Sequence, residues 1–163
     1  MKLRMTFFGH IRASLFIIIM FLGLIFLTYY IHSNTGKSFL IFAALFLILI
    51  FPTLYLHLNY YNAGKNYEYD LNENSITVIK DNAKMVFYKQ NFKTIEFHMS
   101  GTRMAGVGVR NFPFENYYYA KIVMNNDDEI IISCLFSKKI DQILTSLYND
   151  VPIINVKEFY PLV

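Results

Sequence analysis

The sequence has a single cysteine and no acidic residue in its first 67 positions. Because Cys134 stands alone among 163 residues, an intramolecular disulfide and a cysteine-rich zinc site are excluded, and the chain suits a reducing compartment. All twelve acidic residues lie at or after Glu68. From residue 64 onward, eleven Lys and Arg stand against twelve Asp and Glu, a net charge of −1. Binding of a nucleic acid polymer through bulk charge is therefore disfavoured.

Catalytic and nucleotide-cradling motifs are also missing. The segment around Gly101 and Gly106 lacks the Lys-Ser/Thr of a Walker loop, and no G-x-G-x-x-G motif is present. No G-x-S-x-G nucleophile elbow occurs, and the four histidines lack metal-ligand spacing. Cys134 lies in an apolar strand pattern, which favours an inert buried thiol. The sequence therefore predicts a protein that is not an enzyme and that needs no cofactor or metal.

Two apolar runs dominate the first 60 residues. Residues 13–31 and 39–58 contain no Asp, Glu, Lys or Arg. At about 1.5 Å per residue, each run would form a helix of roughly 28 to 30 Å, the thickness of a bilayer's hydrocarbon core. Lys2, Arg4 and Arg12 precede the first run, so the positive-inside rule places both ends of a two-span hairpin in the cytoplasm. We expect a multi-pass inner-membrane protein in contact with the lipid bilayer, whose spans could form a homo-oligomer.

After residue 64 the hydrophobic period changes from helical to two. Alternating apolar and polar residues predict strands at 67–71, 76–78, 85–87, 95–99, 117–124 and 129–135. Ser137 caps a predicted helix that has one apolar face, and residues after Pro152 predict an edge strand. The chain therefore divides into a basic lead-in at 1–12, a transmembrane hairpin at 13–58 and a cytoplasmic β domain at 65–163.

Four segments carry a resemblance to a known family. They are residues 98–100 (HMS), 112–113 (FP), 116–122 (NYYYAKI) and 130–135 (IIISCL), ahead of a short helix. Together with the layout of the whole chain, they resemble small bacterial membrane proteins that have two transmembrane helices and a PH-like domain, some of them encoded in surface-polysaccharide gene clusters. The resemblance implies a membrane α-helical hairpin plus an all-β domain with one helix. That domain would be a small PH-like antiparallel barrel closed by the helix.

The layout also resembles the two-transmembrane, β-strand-rich effectors of cyclic-oligonucleotide (CBASS) antiphage systems. In those proteins a cytoplasmic β-barrel senses a nucleotide and the spans disrupt the inner membrane. Two functions follow from the two resemblances. The first is a non-catalytic scaffold or sensor whose β domain binds a partner or a lipid headgroup. The alternative is a cyclic-nucleotide-gated, membrane-disrupting effector in antiviral defence.

A long glycine-rich loop and the strand after it hold the predicted ligand-binding residues. Arg103 and Arg110 flank a flexible backbone with exposed amides and could hold a phosphate of a headgroup or nucleotide. Tyr117 and Tyr119 could stack on a base or sugar, and Lys121 would add charge if it points into the mouth of a barrel. Simpler alternatives are a solvated loop for the arginines, alternating strand burial for the tyrosines and a solvated face for the lysine.

Overall fold

The structure is a computed structural model, and it describes residues 1–31, 36–106 and 112–163, with part of the side chains in the first two helices. Within these residues the chain forms eight strands, four α-helices and two 3₁₀ turns, the turns at Lys89–Asn91 and Pro113–Asn116. In chain order the strands and α-helices are β1 (Lys2–Arg4), α1 (Phe7–Ile31), α2 (Gly36–Gly64), β2 (Tyr67–Asn72), β3 (Ser75–Lys80), β4 (Ala83–Tyr88), β5 (Phe92–Met99), α3 (Gly101–Met104), β6 (Tyr118–Met124), β7 (Glu129–Ser133), α4 (Ile140–Leu147) and β8 (Ile153–Lys157).

The strands form two four-stranded sheets. The first has the order β1-β2-β3-β4 and is antiparallel, whereas the second has the order β7-β6-β5-β8, with β8 parallel to β5. Two-residue turns join β2 to β3 and β3 to β4. In the second turn Asp81 and Asn82 have φ angles of 48° and 69°. Asp and Asn tolerate this left-handed backbone, which tight hairpin turns require. The predicted strands and the edge strand after Pro152 are confirmed, but the prediction of an all-antiparallel arrangement is wrong, because β8 runs parallel to β5.

The core lies between the two sheets and under α4. Its fully buried members from the strands include Leu71, Ile76, Ile95, Ile122 and Ile132. Helix α4 adds Ile140 and Leu144, which are also fully buried, and each such side chain contributes roughly 1.5 to 3 kcal/mol. The Tyr148 hydroxyl is shared between the carbonyl oxygens of Asn72 and Ser75, at 2.8 and 3.1 Å. The predicted helix that covers the sheets is therefore confirmed.

The two long helices are inserted between the first and second strands. Strand β1 precedes them in the chain and pairs with β2, which follows them, so that Leu3 lies opposite Tyr69 and Arg4 lies opposite Glu68. A three-residue strand is too short to show a period of two, and the basic residues in it suggested a lead-in ahead of a membrane span. In the structure these residues form the outer strand of the first sheet, so no hairpin precedes the β fold.

The predicted transmembrane hairpin is not found. Among the residues that the structure describes, no helix combines the length and the apolar character needed to cross a membrane. In α2 the last turns pack against the sheets, because Thr53, Leu56 and Tyr60 are at most 1% exposed and the Tyr60 hydroxyl donates to the Pro161 carbonyl at 2.7 Å. Apolar composition does not distinguish a side chain that faces lipid from one that faces a protein core. For the described residues, the predictions of a membrane hairpin and of a multi-pass inner-membrane location are therefore wrong.

Several large apolar side chains of the long helices are exposed. They include Leu15, Ile19 and Leu22 of α1 and Leu47 and Ile48 of α2. An extensive exposed apolar surface marks a place where a protein meets another apolar surface. No segment in the described part of the chain covers these five side chains.

Candidate functional site

Arg103 holds helix α3 against helix α4. Ser100 caps α3 by accepting a hydrogen bond from the backbone N–H of Arg103 at 3.4 Å. The Arg103 guanidinium donates to the Asp141 carboxylate at 2.8 Å and lies 3.4 Å from the centre of the Tyr118 ring. Tyr118 donates its hydroxyl to the Lys138 carbonyl at 2.8 Å, and burial raises the pKa of that hydroxyl. Since the Arg103 side chain is 12% exposed, it is committed to contacts within the protein.

Tyr117 and Tyr119 lie in an aromatic junction where α2 meets the second sheet. Tyr60 of α2 contacts both rings edge to face, with centroids 5.6 and 6.2 Å apart. His57, one turn earlier, has Nδ1 at 3.0 Å from the Tyr117 hydroxyl and Nε2 at 3.4 Å from Nδ1 of His10. Burial, and to a lesser degree His10, lowers the pKa of His57. The two tyrosines predicted to stack on a base are 2% and 6% exposed, because the protein's own helix packs on them.

Lys121 belongs to a row of polar side chains on the outer face of the second sheet. It forms an ion pair with Glu129 at 2.5 Å, and its hydrogen bond to Glu129 raises the pKa of Lys121. Farther along the row, the two ring nitrogens of His98 lie 2.6 and 3.1 Å from carboxylate oxygens of Glu158 and Glu96. Among the described residues no group of His, Cys, Asp and Glu is arranged to hold a metal ion. Because Glu129 pairs with it, Lys121 already has a carboxylate partner.

The structure separates Arg103 from the other predicted ligand-binding residues that it describes. Successive side chains of a strand point to opposite faces, so Tyr119 and Lys121 share one face of β6. Tyr118, which contacts Arg103, packs in the core on the other face. Arg110 lies outside the described residues. The role of these five predicted residues in binding a ligand stays a prediction.

Strand β4 presents a free edge. It is the outermost strand of the first sheet, and in the described part of the chain it pairs with β3 alone. Just beyond it, the Lys89 N–H donates to the Asn74 carbonyl at 2.9 Å. Since bonded pairs alternate along an antiparallel ladder, the N–H groups of Lys84, Val86 and Tyr88 point away from β3. Val86 and Tyr88 are also 44% and 56% exposed, so both backbone and side chains are accessible at this edge.

A cleft of about 340 Å³ opens between β1, the end of α2 and the β3–β4 turn. Arg4, Lys65, Glu68 and Asp81 are among the residues that line it. Arg4 is 76% exposed although its Nε lies 3.0 Å from a carboxylate oxygen of Glu68. On the neighbouring strand, the amino group of Lys80 lies 5.0 Å from the centre of the Tyr67 ring. The cleft therefore has exposed cations but also two carboxylates.

A family model that describes the PH domain matches residues 2–143. The chain belongs to the PH domain family. No curated protein and no solved structure matches it. The match runs from β1 into α4, so the long helices lie within the PH domain instead of ahead of it. The predicted PH-like domain is confirmed, whereas the resemblance to antiphage effectors receives no support from this match.

PH domains are typically non-catalytic binding modules, so the family suggests a binding scaffold. Sequence reasoning missed two features through which this PH domain could bind. The first is the free edge of β4, for which the alternating segment 84–88 was a usable signal, although its position in the sheet was not. The second is the cleft, which exists because β1 and β2 pair with each other although two long helices lie between them in the chain. A count of charges along the sequence could not show that Arg4 and Asp81 line the same cleft.

Proposed function

We propose that this PH domain is a non-catalytic module that binds an extended segment of a partner protein as an additional strand on β4. The observation that carries the proposal is the free edge of β4. Exposed strand edges offer unpaired backbone donors and acceptors, which natural proteins usually cover or shorten. Here the strand is six residues long, and no described segment of the chain covers it. Addition of a partner strand satisfies such an edge through main-chain hydrogen bonds.

The side chains around β4 favour a partner segment of a particular character. Met85 and Phe87 border an apolar cavity on one face of the first sheet. On the opposite face, Lys84 and Val86 are exposed. Because side chains alternate along a strand, a bound segment would direct every second residue toward the cavity. We expect apolar residues at those positions and an acidic residue next to Lys84, since opposite charges on paired strands attract.

A displayed library of extended peptides tests this proposal with the full chain as the target. Affinities of the enriched peptides are then measured for the wild type and for Val86→Pro, which removes one outward N–H. Proline is tolerated on edge strands where its nitrogen faces away from the ladder. We expect a loss of affinity of about tenfold, near the upper end of what one hydrogen bond contributes. Val86→Thr keeps the N–H and the branched shape, so it should bind as the wild type does. Peptides that bind Val86→Pro and wild type equally would contradict the proposal.

The cleft supports a second candidate function, binding of an anionic headgroup. Arg4, Lys65 and the neighbouring Lys80 supply the charge that a phosphate requires, but Glu68 and Asp81 in the same cleft oppose an anion. For this reason the headgroup ranks second. Membrane disruption by an effector requires the predicted transmembrane hairpin, and that prediction is wrong. Nucleotide binding is therefore the part of that alternative that can still be tested.

Titration of the full chain with glycerol phosphate, inositol phosphates and cyclic dinucleotides distinguishes the ligands. Salt-sensitive binding of a headgroup that is lost in the double variant Lys65→Gln/Lys80→Gln would support the cleft. Lys138→Gln/Lys139→Gln makes the same change of charge next to α4, outside the cleft, and should leave that binding unchanged. Selective binding of a cyclic dinucleotide would favour nucleotide sensing. Binding of none of these probes would contradict the second candidate.

A further inference from the structure

A half-open cavity of about 190 Å³ lies where edge strand β7 approaches the face of the first sheet. Tyr69 of β2 donates its hydroxyl to the Ile131 carbonyl of β7 at 2.7 Å, and this bond joins the two sheets beside the cavity. Val78 and Ile130 line the cavity from the two sheets, and Ala63 of α2 lines it from an exposed position. The cavity is therefore a feature of the junction between the sheets and α2.

Charged side chains are absent from the lining that the structure describes. Among the described residues that form the wall, none is Asp, Glu, Lys, Arg or His. Burial raises the pKa of Tyr69, so its hydroxyl stays neutral as well. A charged group moved into such surroundings would lose its hydration and find no opposite charge in return. An occupant of the cavity must therefore be uncharged in the part that is buried.

Ser133 adds a polar group that needs a partner. It lines the cavity and is 4% exposed, and its Oγ has no hydrogen-bond partner among the described residues. By contrast, the hydroxyls of Tyr60 and Tyr69, which also line the cavity, donate to the backbone carbonyls of Pro161 and Ile131. A buried hydroxyl without a partner is unfavourable. The Oγ is enclosed in this structure, so pairing with a molecule in the cavity requires the Ser133 side chain to turn to another of its staggered rotamers. A molecule that pairs with Ser133 in this way gains more than an apolar molecule of the same shape.

We propose that this cavity binds an uncharged small molecule the size of one substituted ring, with a hydrogen-bonding group that pairs with Ser133. The volume sets the size, because a cavity of about 150 Å³ in another protein holds benzene. The extra volume here accommodates a short substituent. This binding uses side chains of the cavity and no outward N–H of the β4 edge, so it does not require strand addition, although the apolar residues of a bound segment would face the same cavity.

Isothermal titration of the full chain with 4-propylphenol and propylbenzene tests the proposal. The two probes share a ring and a chain and differ in one hydroxyl. We expect 4-propylphenol to bind about fivefold more tightly than propylbenzene, as one hydrogen bond to Ser133 implies. In Ser133→Ala this advantage should disappear while the affinity for propylbenzene stays within about twofold, since no other contact is removed. Failure of both probes to bind the folded wild type, or an advantage that persists in Ser133→Ala, would overturn the proposal.

Two further variants locate the binding. Ala63→Phe places a large ring at the exposed mouth of the cavity and should abolish binding of both probes. Ala83→Phe makes the same change at an exposed alanine of β4 outside the lining, and it should leave both affinities unchanged. Equal effects of these variants would overturn the assignment to this cavity. Val86→Pro should weaken peptide binding about tenfold and spare the probes, so failure of one proposal is distinguishable from failure of the other.

Discussion

Replacement of Arg103 by methionine should destabilise the chain, because it leaves Asp141 and Tyr118 without their cationic partner. The side chains of Arg103 and Asp141 are 12% and 27% exposed, so solvent screens the pair only in part. A hydrogen bond to a charged group contributes about 1.5 to 3 kcal/mol, and a cation–π contact contributes about 0.5 to 2 kcal/mol. Since both use one guanidinium, they do not simply add. We expect a loss of about 2 to 4 kcal/mol in the free energy of unfolding.

Arg4→Met is the matched control for this prediction. Arg4 also pairs with a carboxylate, that of Glu68 at 3.0 Å, but the two side chains are 76% and 44% exposed. Ion pairs this exposed contribute about 0 to 1 kcal/mol. Arg4→Met should therefore cost less than about 1 kcal/mol.

Chemical denaturation at pH 7, followed by circular dichroism, measures both losses, provided that the dependence on denaturant is unchanged. A double-mutant cycle that combines Arg103→Met with Asp141→Leu should show a coupling of about 1 to 3 kcal/mol. Equal costs for Arg103→Met and Arg4→Met, together with no coupling, would refute the reasoning. The Arg103 side chain would then be available to a ligand, as the sequence predicted.

Three other predictions concern the packing of the fold. His57→Asn should remove one source of acid sensitivity. The pKa of His57 in the folded chain lies below its ordinary value of 6.5, so the unfolded chain binds more protons below about pH 6.5. The free energy of unfolding therefore decreases as the pH is lowered through that range. An equally steep fall in denaturation midpoint from pH 7 to 5 in the variant would contradict this. Leu144→Ala should cost about 2 to 5 kcal/mol because it leaves a void under α4, and a loss below about 1 kcal/mol on denaturation would argue against it. Asn82, at φ 69°, should tolerate glycine, whereas alanine should cost about 1 kcal/mol; the reverse order of denaturation midpoints would count against the turn geometry.

The strands after residue 64 could be predicted because their signals are local. Tyr69 and Leu71 alternate with polar neighbours, and this period of two identifies a strand before its partner is known. The turn at Asp81 and Asn82 likewise depends on residue types that tolerate a left-handed backbone. Helix α4 was visible from one apolar face. Strand β1 was not predictable in this way, because three residues carry no period and the strand exists through its pairing with β2.

The candidate sites depended on contacts between distant parts of the chain. Arg103 was expected to face a ligand, but its partner Asp141 lies 38 residues away, where no loop pattern could indicate it. Tyr117 was expected to meet a base, and it instead lies against His57, 60 residues earlier. The Ser133 Oγ has no hydrogen-bond partner among the described residues, and no sequence pattern could indicate this, since burial and hydrogen bonding are properties of the packed structure.

The sequence by itself determined the strands after residue 64 and helix α4, that the chain has no intramolecular disulfide, and that it has no recognised catalytic motif. These properties follow from residue types and from periods within a few positions of each other. The tertiary structure decided which apolar side chains face the protein's own core, as Leu56 and Tyr60 of α2 do. It also decided that β4 and β7 are the edges beside the cavity. Hydrophobicity favours burial without specifying against what, so a helix that packs on a sheet and one that meets lipid can share the same composition.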